Sequence, residues 1–166
     1  MELFWKSEIG AGDDTWIQEI SLYEDGERNY SSVHAFSFVD DEHIVLGHHS
    51  ENGHYGNLGG GIEKGETLEQ ALRREIKEEG NAELVRWAPV LLVRHIKKGE
   101  PWDSMWQVWG WADITLLPGD TFVDVSGDVD SREVVLINDV PAKLGWGAEK
   151  LEATMKVMFE ERSKMR

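Results

Sequence analysis

Between Val33 and Val39 polar and apolar residues alternate, the period-two pattern of a strand with one buried face. Asp40-Asp41 supply a turn and Ile44-Val45-Leu46 resume an extended run, so a hairpin is expected. A glycine-rich stretch from Gly53 to Gly65 follows and contains Gly59-Gly60-Gly61. That much backbone freedom reads as a structured loop, neither helix nor long strand. Thr67, with Gln70 three residues on, has the form of a capping box, and Leu68, Leu72 and Ile76 recur every four residues up to Gly80-Asn81. The spacing predicts one helix of about three to four turns.

Leu84 to Ile96 and Met105 to Leu116 are rich in Val, Ile, Leu and Trp, and the turn-prone Lys97-Lys98-Gly99-Glu100-Pro101 divides them, which predicts a second long hairpin. Within it, alternation puts Trp109 and Trp111 on one face and Trp106 on the other, as ordinary sheet packing would. Pro118 to Ser131, with two glycines and four aspartates, reads as an exposed loop before a short strand, Glu133 to Ile137. Glu149 to Lys164 carries Leu151, Met155, Met158 and Phe159 at helical spacing. Strands dominate, with a central and a terminal helix. The expected class is therefore α+β, a mixed β-sheet packed between helices.

Composition narrows the chemistry. The 166 residues, 40% hydrophobic and 30% charged, suit a single domain over 1–166 with a sizeable core. No apolar run is long enough for a bilayer and the N-terminal residues lack a secretion signal, so a cytoplasmic protein without a membrane partner is expected. The absence of cysteine excludes thiol nucleophiles and thiolate zinc sites, leaving carboxylates, imidazoles and carbonyls as metal ligands. A net charge of -15, with no basic patch, argues against binding long nucleic acids.

On a helix turning about 100° per residue, Glu75, Glu78 and Glu79 share one edge while Arg73 and Lys77 point elsewhere. That edge adjoins the apolar stripe of Leu68, Leu72 and Ile76, so the acids are not on a fully solvated face. Like charges at this spacing repel, and a divalent cation would relieve the cost. Oxygen-only ligation suits Mg²⁺ or Mn²⁺, which also bridge phosphates. The plainer alternative is a surface helix with ordinary pairs such as Arg74 with Glu78. The preceding glycines tip the balance, because they let backbone approach a metal or phosphate closely.

The stretch Gly60-x5-Glu66-x7-Arg74-Glu75-Ile76-x-Glu78-Glu79 resembles the Nudix box in order and spacing. Leu58 stands where a proline is common, Asn81 replaces the last glycine and Ala82 a bulkier aliphatic; Asn tolerates the left-handed backbone that ends a helix. The resemblance implies the Nudix-type α/β/α sandwich. It also implies that Glu75, Glu78 and Glu79 hold divalent cations, Mg²⁺ or Mn²⁺, with the Gly59 carbonyl as a further ligand. Arg74 would orient a glutamate and Glu66 would support the helix. The implied reaction is attack of an activated water on phosphorus in a small nucleotide-like diphosphate. Glu78 is the first candidate for general base, followed by the later acids Asp128, Asp130 and Glu133.

For the substrate, His48, His49 and His54 lie just upstream of the glycines, where relatives often place phosphate-contacting basic residues, and a histidine-rich surface turn is the alternative. Trp102 is the tryptophan best placed to stack on a base. Tyr55 occupies a position that is often aromatic in the family. No tyrosine follows Tyr55, which argues against a dinucleoside-polyphosphate hydrolase; Pro101 lies too far downstream to match the ADP-ribose hydrolase proline; and the lack of cysteine argues against the isomerase branch. A nucleoside triphosphate, or a nucleoside diphosphate linked to another group, is the expected substrate. A non-catalytic nucleotide-binding sensor is the alternative, although such modules usually lose box carboxylates that this chain keeps. The family also often forms homodimers, and the Trp-rich strands would offer a surface.

Overall fold

A computed structural model describes residues 3–10, 15–26, 28–49, 52–119 and 129–165, with the side chains of 3 and 100–103 outside the description. Eight strands form one mixed sheet: β1 (Leu3–Ile9), β2 (Trp16–Leu22), β3 (Tyr30–Phe38), β4 (His43–His49), β5 (His54–Gly61), β6 (Ala82–Lys97), β7 (Glu100–Leu116) and β8 (Ser131–Leu136). Their order is β1-β2-β6-β7-β3-β5-β4-β8, and β3 runs parallel to β7. Among the described residues three α-helices, α1 (Leu68–Gly80), α2 (Val140–Leu144) and α3 (Ala148–Lys164), pack on the sheet. Among the described residues no helix is long and apolar enough to cross a membrane.

Each face of the sheet has its own core. On one, Ala71, Leu72 and Ile76 of α1 pack among Val33, Ala35, Val45, Leu58, Leu92 and Val108. On the other, Leu151, Met155 and Met158 of α3 and Val140 and Leu144 of α2 meet Phe36, Phe38, Leu91, Trp109 and Trp111. Full burial of an aliphatic side chain such as Leu72 or Ile76 is worth about 1.5–3 kcal/mol, which is what holds α1 against the sheet. Helices therefore cover both faces, the α/β/α sandwich expected. Trp106 packs on the α1 side and Trp109 and Trp111 on the α3 side, as the alternation predicts.

The ends of α1 follow the sequence closely. The Thr67 hydroxyl accepts from the Gln70 backbone N–H at 3.2 Å, and the Gln70 side chain accepts from the Thr67 N–H at 2.9 Å, which is the reciprocal capping box. Asn81 ends the helix at φ 41°, ψ 53°, the left-handed conformation that Asn tolerates. Arg132 of β8 then donates to the carbonyls of Gly80, Asn81 and Leu117, satisfying helix-end acceptors and tying α1 to the rim of the sheet.

Some elements differ from the expectation. The glycine-rich stretch is no loop over most of its length: His54–Gly61 is β5, wedged between β3 and β4 and hydrogen-bonded to both. Ladder pairing on both edges outweighs the conformational entropy that glycine costs a strand. Close approach is the reason for glycine here: at Gly59, φ 138°, a Cβ would lie 2.2 Å from the Val33 carbonyl oxygen. The second hairpin turns at Lys98-Gly99 alone, so Trp102 belongs to β7; its side chain lies outside the described residues. Most of the acidic loop, 120–128, also lies outside them. Two N-terminal strands and the short α2, preceded by a 3₁₀ turn at Ile137–Asp139, carry no strong periodic signal.

The C-terminal end of α3 is held by charge. Arg162, 6% exposed, donates Nε to Asp113 of β7 at 2.7 Å and Nη1 to Asp41 at 3.2 Å, with its guanidinium 4.2 Å from the Phe38 ring centroid. Arg86 of β6 bonds the second Asp113 oxygen. Asp113→Ala would leave Arg162 enclosed with half its compensation, and we expect a loss of about 2–4 kcal/mol in urea unfolding. An unchanged midpoint would show that this pairing does not hold α3.

Candidate active site

A cavity of about 810 Å³ opens where α1 meets β5. Glu75, Glu78, Glu79 and Arg74 of α1 line one part, with Gly59, Gly60, Gly61 and Glu63; His34, Gln107, Trp109 and Trp146 line another. The three box glutamates, 75, 78 and 79, are thus brought into one cavity, as their helical spacing predicts.

Arg74 organises the acidic wall. Its Nε and Nη2 form a two-point pair with Glu66, both at 3.0 Å; Nη1 meets Glu75 at 2.7 Å and Glu78 at 3.3 Å; and Nη2 also donates to the Gly61 carbonyl at 2.8 Å. The Arg74 guanidinium holds the Glu66 carboxyl below its ordinary range, helped by the Glu63 backbone N–H. In turn Glu66, then Glu75, holds Arg74 in its charged form. Glu66 has a side chain that supports the loop and the arginine and does not line the cavity.

Glu75 and Glu79 are set by the glycine strand. A Cβ on Gly60 would fall 2.6 Å from Glu75 Oε1, so the carboxylate fits there only because the residue is glycine. Glu79 Oε2 accepts from the Gly59 N–H at 2.9 Å. Glu78 has the longest contact with Arg74 among the three ion pairs and a side chain 27% exposed, against 12% for Glu75. It is the less constrained of the two.

Among the described residues no three acidic or imidazole groups are already drawn together as a cation cage. The donor chemistry nevertheless fits a hard divalent ion: oxygen ligands alone, three carboxylates on one wall, and a bare glycine backbone beside them. Arg74 Nη1 bridges Glu75 and Glu78 and offsets part of the charge that such an ion would neutralise.

The other predicted contacts divide. His49 lines the cavity, whereas His48 packs against Tyr55 with ring centroids 4.6 Å apart and planes tilted by 32°, and bonds Ser131 through Nδ1 at 3.1 Å, outside the lining. His54 is exposed at the start of β5. Of the later acids, Glu133 is engaged by Lys143 at 2.8 and 2.9 Å, which lowers its pKa, and Asp130 is exposed beside Ser131; neither lines the cavity. Asp128 lies outside the described residues. Sequence reasoning missed His34, Gln107 and Trp146 and treated Trp109 as core packing alone. Trp146, between Gly145 and Gly147, had a local signal: a large aromatic on a glycine-flanked turn between helices.

The sequence matches the NUDIX domain family over residues 29–155. No curated protein matches it. Among solved structures the fold is similar to that of a mutant of a Bacillus subtilis pyrophosphohydrolase, with a TM-score of 0.67 and 18% identity over 87% of this chain and 92% of that one. A NUDIX hydrolase from Nitrosomonas europaea gives a TM-score of 0.59 at 15% identity, covering 76% of this chain and 87% of that one. An ADP compounds hydrolase gives 0.55 at 14%, covering 99% of this chain and 95% of that one. At such identities the likeness is one of fold.

Burial, with His95 nearby, lowers the His34 imidazole from 6.5 to about 4. Between those values the unfolded chain binds the proton and the folded chain does not, so stability rises with pH across that window and is lost as pH falls through it. Urea midpoints measured from pH 7 down to pH 5 should therefore fall more steeply in the parent protein than in a His34→Gln variant. Equal slopes would rule out this origin for the acid sensitivity.

Proposed function

The chain belongs to the Nudix family, and we propose that it is a pyrophosphohydrolase that uses divalent cations, Mg²⁺ or Mn²⁺, to cut a small nucleotide-like diphosphate. The observation that carries this reading is the meeting of Glu75, Glu78 and Glu79 on the wall of one cavity, organised by Arg74 and the glycines of β5. The fold shared with proteins named pyrophosphohydrolase and ADP compounds hydrolase supports the same chemistry. The substrate class is a nucleoside diphosphate linked to another group, or a nucleoside triphosphate.

In this reading Glu75, Glu78, Glu79 and the Gly59 carbonyl would hold the cations, which would neutralise the diphosphate and acidify a water. Arg74 keeps Glu75 against Gly60 and prevents the helix acids from spreading. The Gly59 N–H occupies one oxygen of Glu79 and so fixes which oxygen points into the cavity. Glu78, held loosely, takes the proton of the attacking water, and His49 faces the phosphates. Bound cations would also offset the charge of the leaving phosphate.

Product release from a panel of nucleoside triphosphates and nucleoside diphosphate sugars, with Mg²⁺, with Mn²⁺ and with a chelator, tests the reading. We expect cleavage of at least one member, abolished by the chelator and lowered about 10²–10⁴-fold in kcat/KM by Glu78→Gln or Glu79→Gln with the fold intact by circular dichroism. Turnover indifferent to the chelator or to both variants would defeat it, as would tight nucleotide binding without turnover.

A further inference from the structure

A second pocket, of about 440 Å³, lies where the segment before β3 faces the turn that precedes α1. That volume falls within the range of about 300–1,000 Å³ usual for small-molecule sites. Arg28, Asn29 and Lys64 bring polar side chains to it, and Ile62 and Leu68 apolar ones. Glu63 lines both this pocket and the larger cavity, so the two adjoin at the acidic end, beside Gly61 and Arg74.

Two cations thus meet in one pocket of a chain whose 32 acidic residues face only 17 lysines and arginines. Among the described residues neither Arg28 nor Lys64 is paired with a carboxylate. Arg28 is held instead by the Glu24 carbonyl, to which Nη1 donates at 2.9 Å, and by the Trp106 ring, whose centroid is 5.4 Å from the guanidinium carbon. Its Nε and Nη2 have no acceptor among those residues, and together they form the edge with which arginine grips two oxygens of a phosphate. The Asn29 amide has no partner among them either.

The neighbouring acids do not cancel this charge. Glu66, which also lines the pocket, is engaged by Arg74 in a two-point pair that keeps its carboxyl below the ordinary range. Glu63 remains, one negative charge against two positive ones. The start of α1 is not what makes the pocket attractive to an anion, because the capping box already uses the Thr67 hydroxyl and the Gln70 N–H. An anion entering here exchanges water for charge-assisted hydrogen bonds from a guanidinium already fixed in place, so little ordering entropy is lost. Ile62 and Leu68 offer apolar surface that a bare ion leaves unused and a sugar ring covers.

We propose that this pocket is a second binding site, for a phosphate monoester carried on a small ring of sugar type, beside the diphosphate site. The phosphate belongs either to the far end of the substrate, reaching across Glu63, or to a separate sugar phosphate. Only the first of these sources rests on the hydrolase reading.

The test titrates ¹⁵N-labelled protein in a chelator with ribose 5-phosphate, and with ribose plus sodium chloride of equal ionic strength as the control. Without a divalent cation the acidic wall repels phosphates, which keeps the larger cavity out of the measurement. The backbone amides of Lys64 and Gly65 and the Asn29 side-chain N–H₂ should shift saturably with ribose 5-phosphate and not with the control. Arg28→Gln and Lys64→Gln should each weaken that binding roughly three- to tenfold and leave the rest of the spectrum in place. No saturable shift, an equal shift with the control, or an affinity unchanged in both variants would overturn the proposal. Inhibition kinetics with Mg²⁺ then separate the two sources: competition with the diphosphate substrate that is lost in Lys64→Gln marks the substrate's far end, and an effect that leaves KM unchanged marks a separate ligand. Saturable binding with no turnover of any diphosphate sustains this site and defeats the hydrolase reading; turnover without a saturable shift does the reverse.

Discussion

The carboxylates of Glu66, Glu75 and Glu78 all bond a single guanidinium, that of Arg74, which also reaches the Gly61 carbonyl. Without it, acids three and four residues apart on a helix beside an apolar stripe would repel, at a cost that grows as water is excluded. The helix would then tend to fray from its exposed edge, or the side chains would swing out to solvent. Arginine suits this task better than lysine because its planar fork serves Glu66 with two bonds and still has a nitrogen for the cavity side. The geometry of the site therefore depends on one cation that belongs to the protein, before any external ion is considered.

That constraint would be idle if α1 could drift, and the strand that stops it is β5. Its glycines let the backbone of β3 approach Gly59 to a distance that no side chain permits, and they let Glu75 rest on Gly60. The same absence of side chains leaves space around β5, so the acidic wall and the aromatic wall share one cavity. What a glycine-rich segment loses in strand propensity is offset by ladder pairing on both of its edges.

Much of this could be read from the residues. The capping box at Thr67 and Gln70, the stripe of Leu72 and Ile76 and the left-handed end at Asn81 are local, and each was legible because its signal spans only a few positions. The shared edge of Glu75, Glu78 and Glu79 follows from helical spacing alone. β5 was not legible, because composition reports the flexibility of glycine but not the two neighbours that pair with it. Glu133 was not excluded in advance, because its partner Lys143 lies on another element. Nor did anything local set His48, which turns toward Tyr55, apart from His49, which turns toward the cavity; only the alternation of β4 separates them.

The two ends of the cavity differ in the same way. Its acidic end is built from one helix and the strand just before it, so a sequence motif can record it. Its aromatic end takes Asn57 from β5, Gln107 and Trp109 from β7 and Trp146 from the turn before α3, and these meet only because β3 runs parallel to β7 and α3 folds back over the sheet. Residues that act on a diphosphate through charge can be close in sequence, since one helix face presents them all. Residues that enclose the rest of a cavity must surround it, and surrounding requires several elements. A chain of this kind therefore shows its chemistry in a short motif and the shape of its cavity only in the folded arrangement of distant residues.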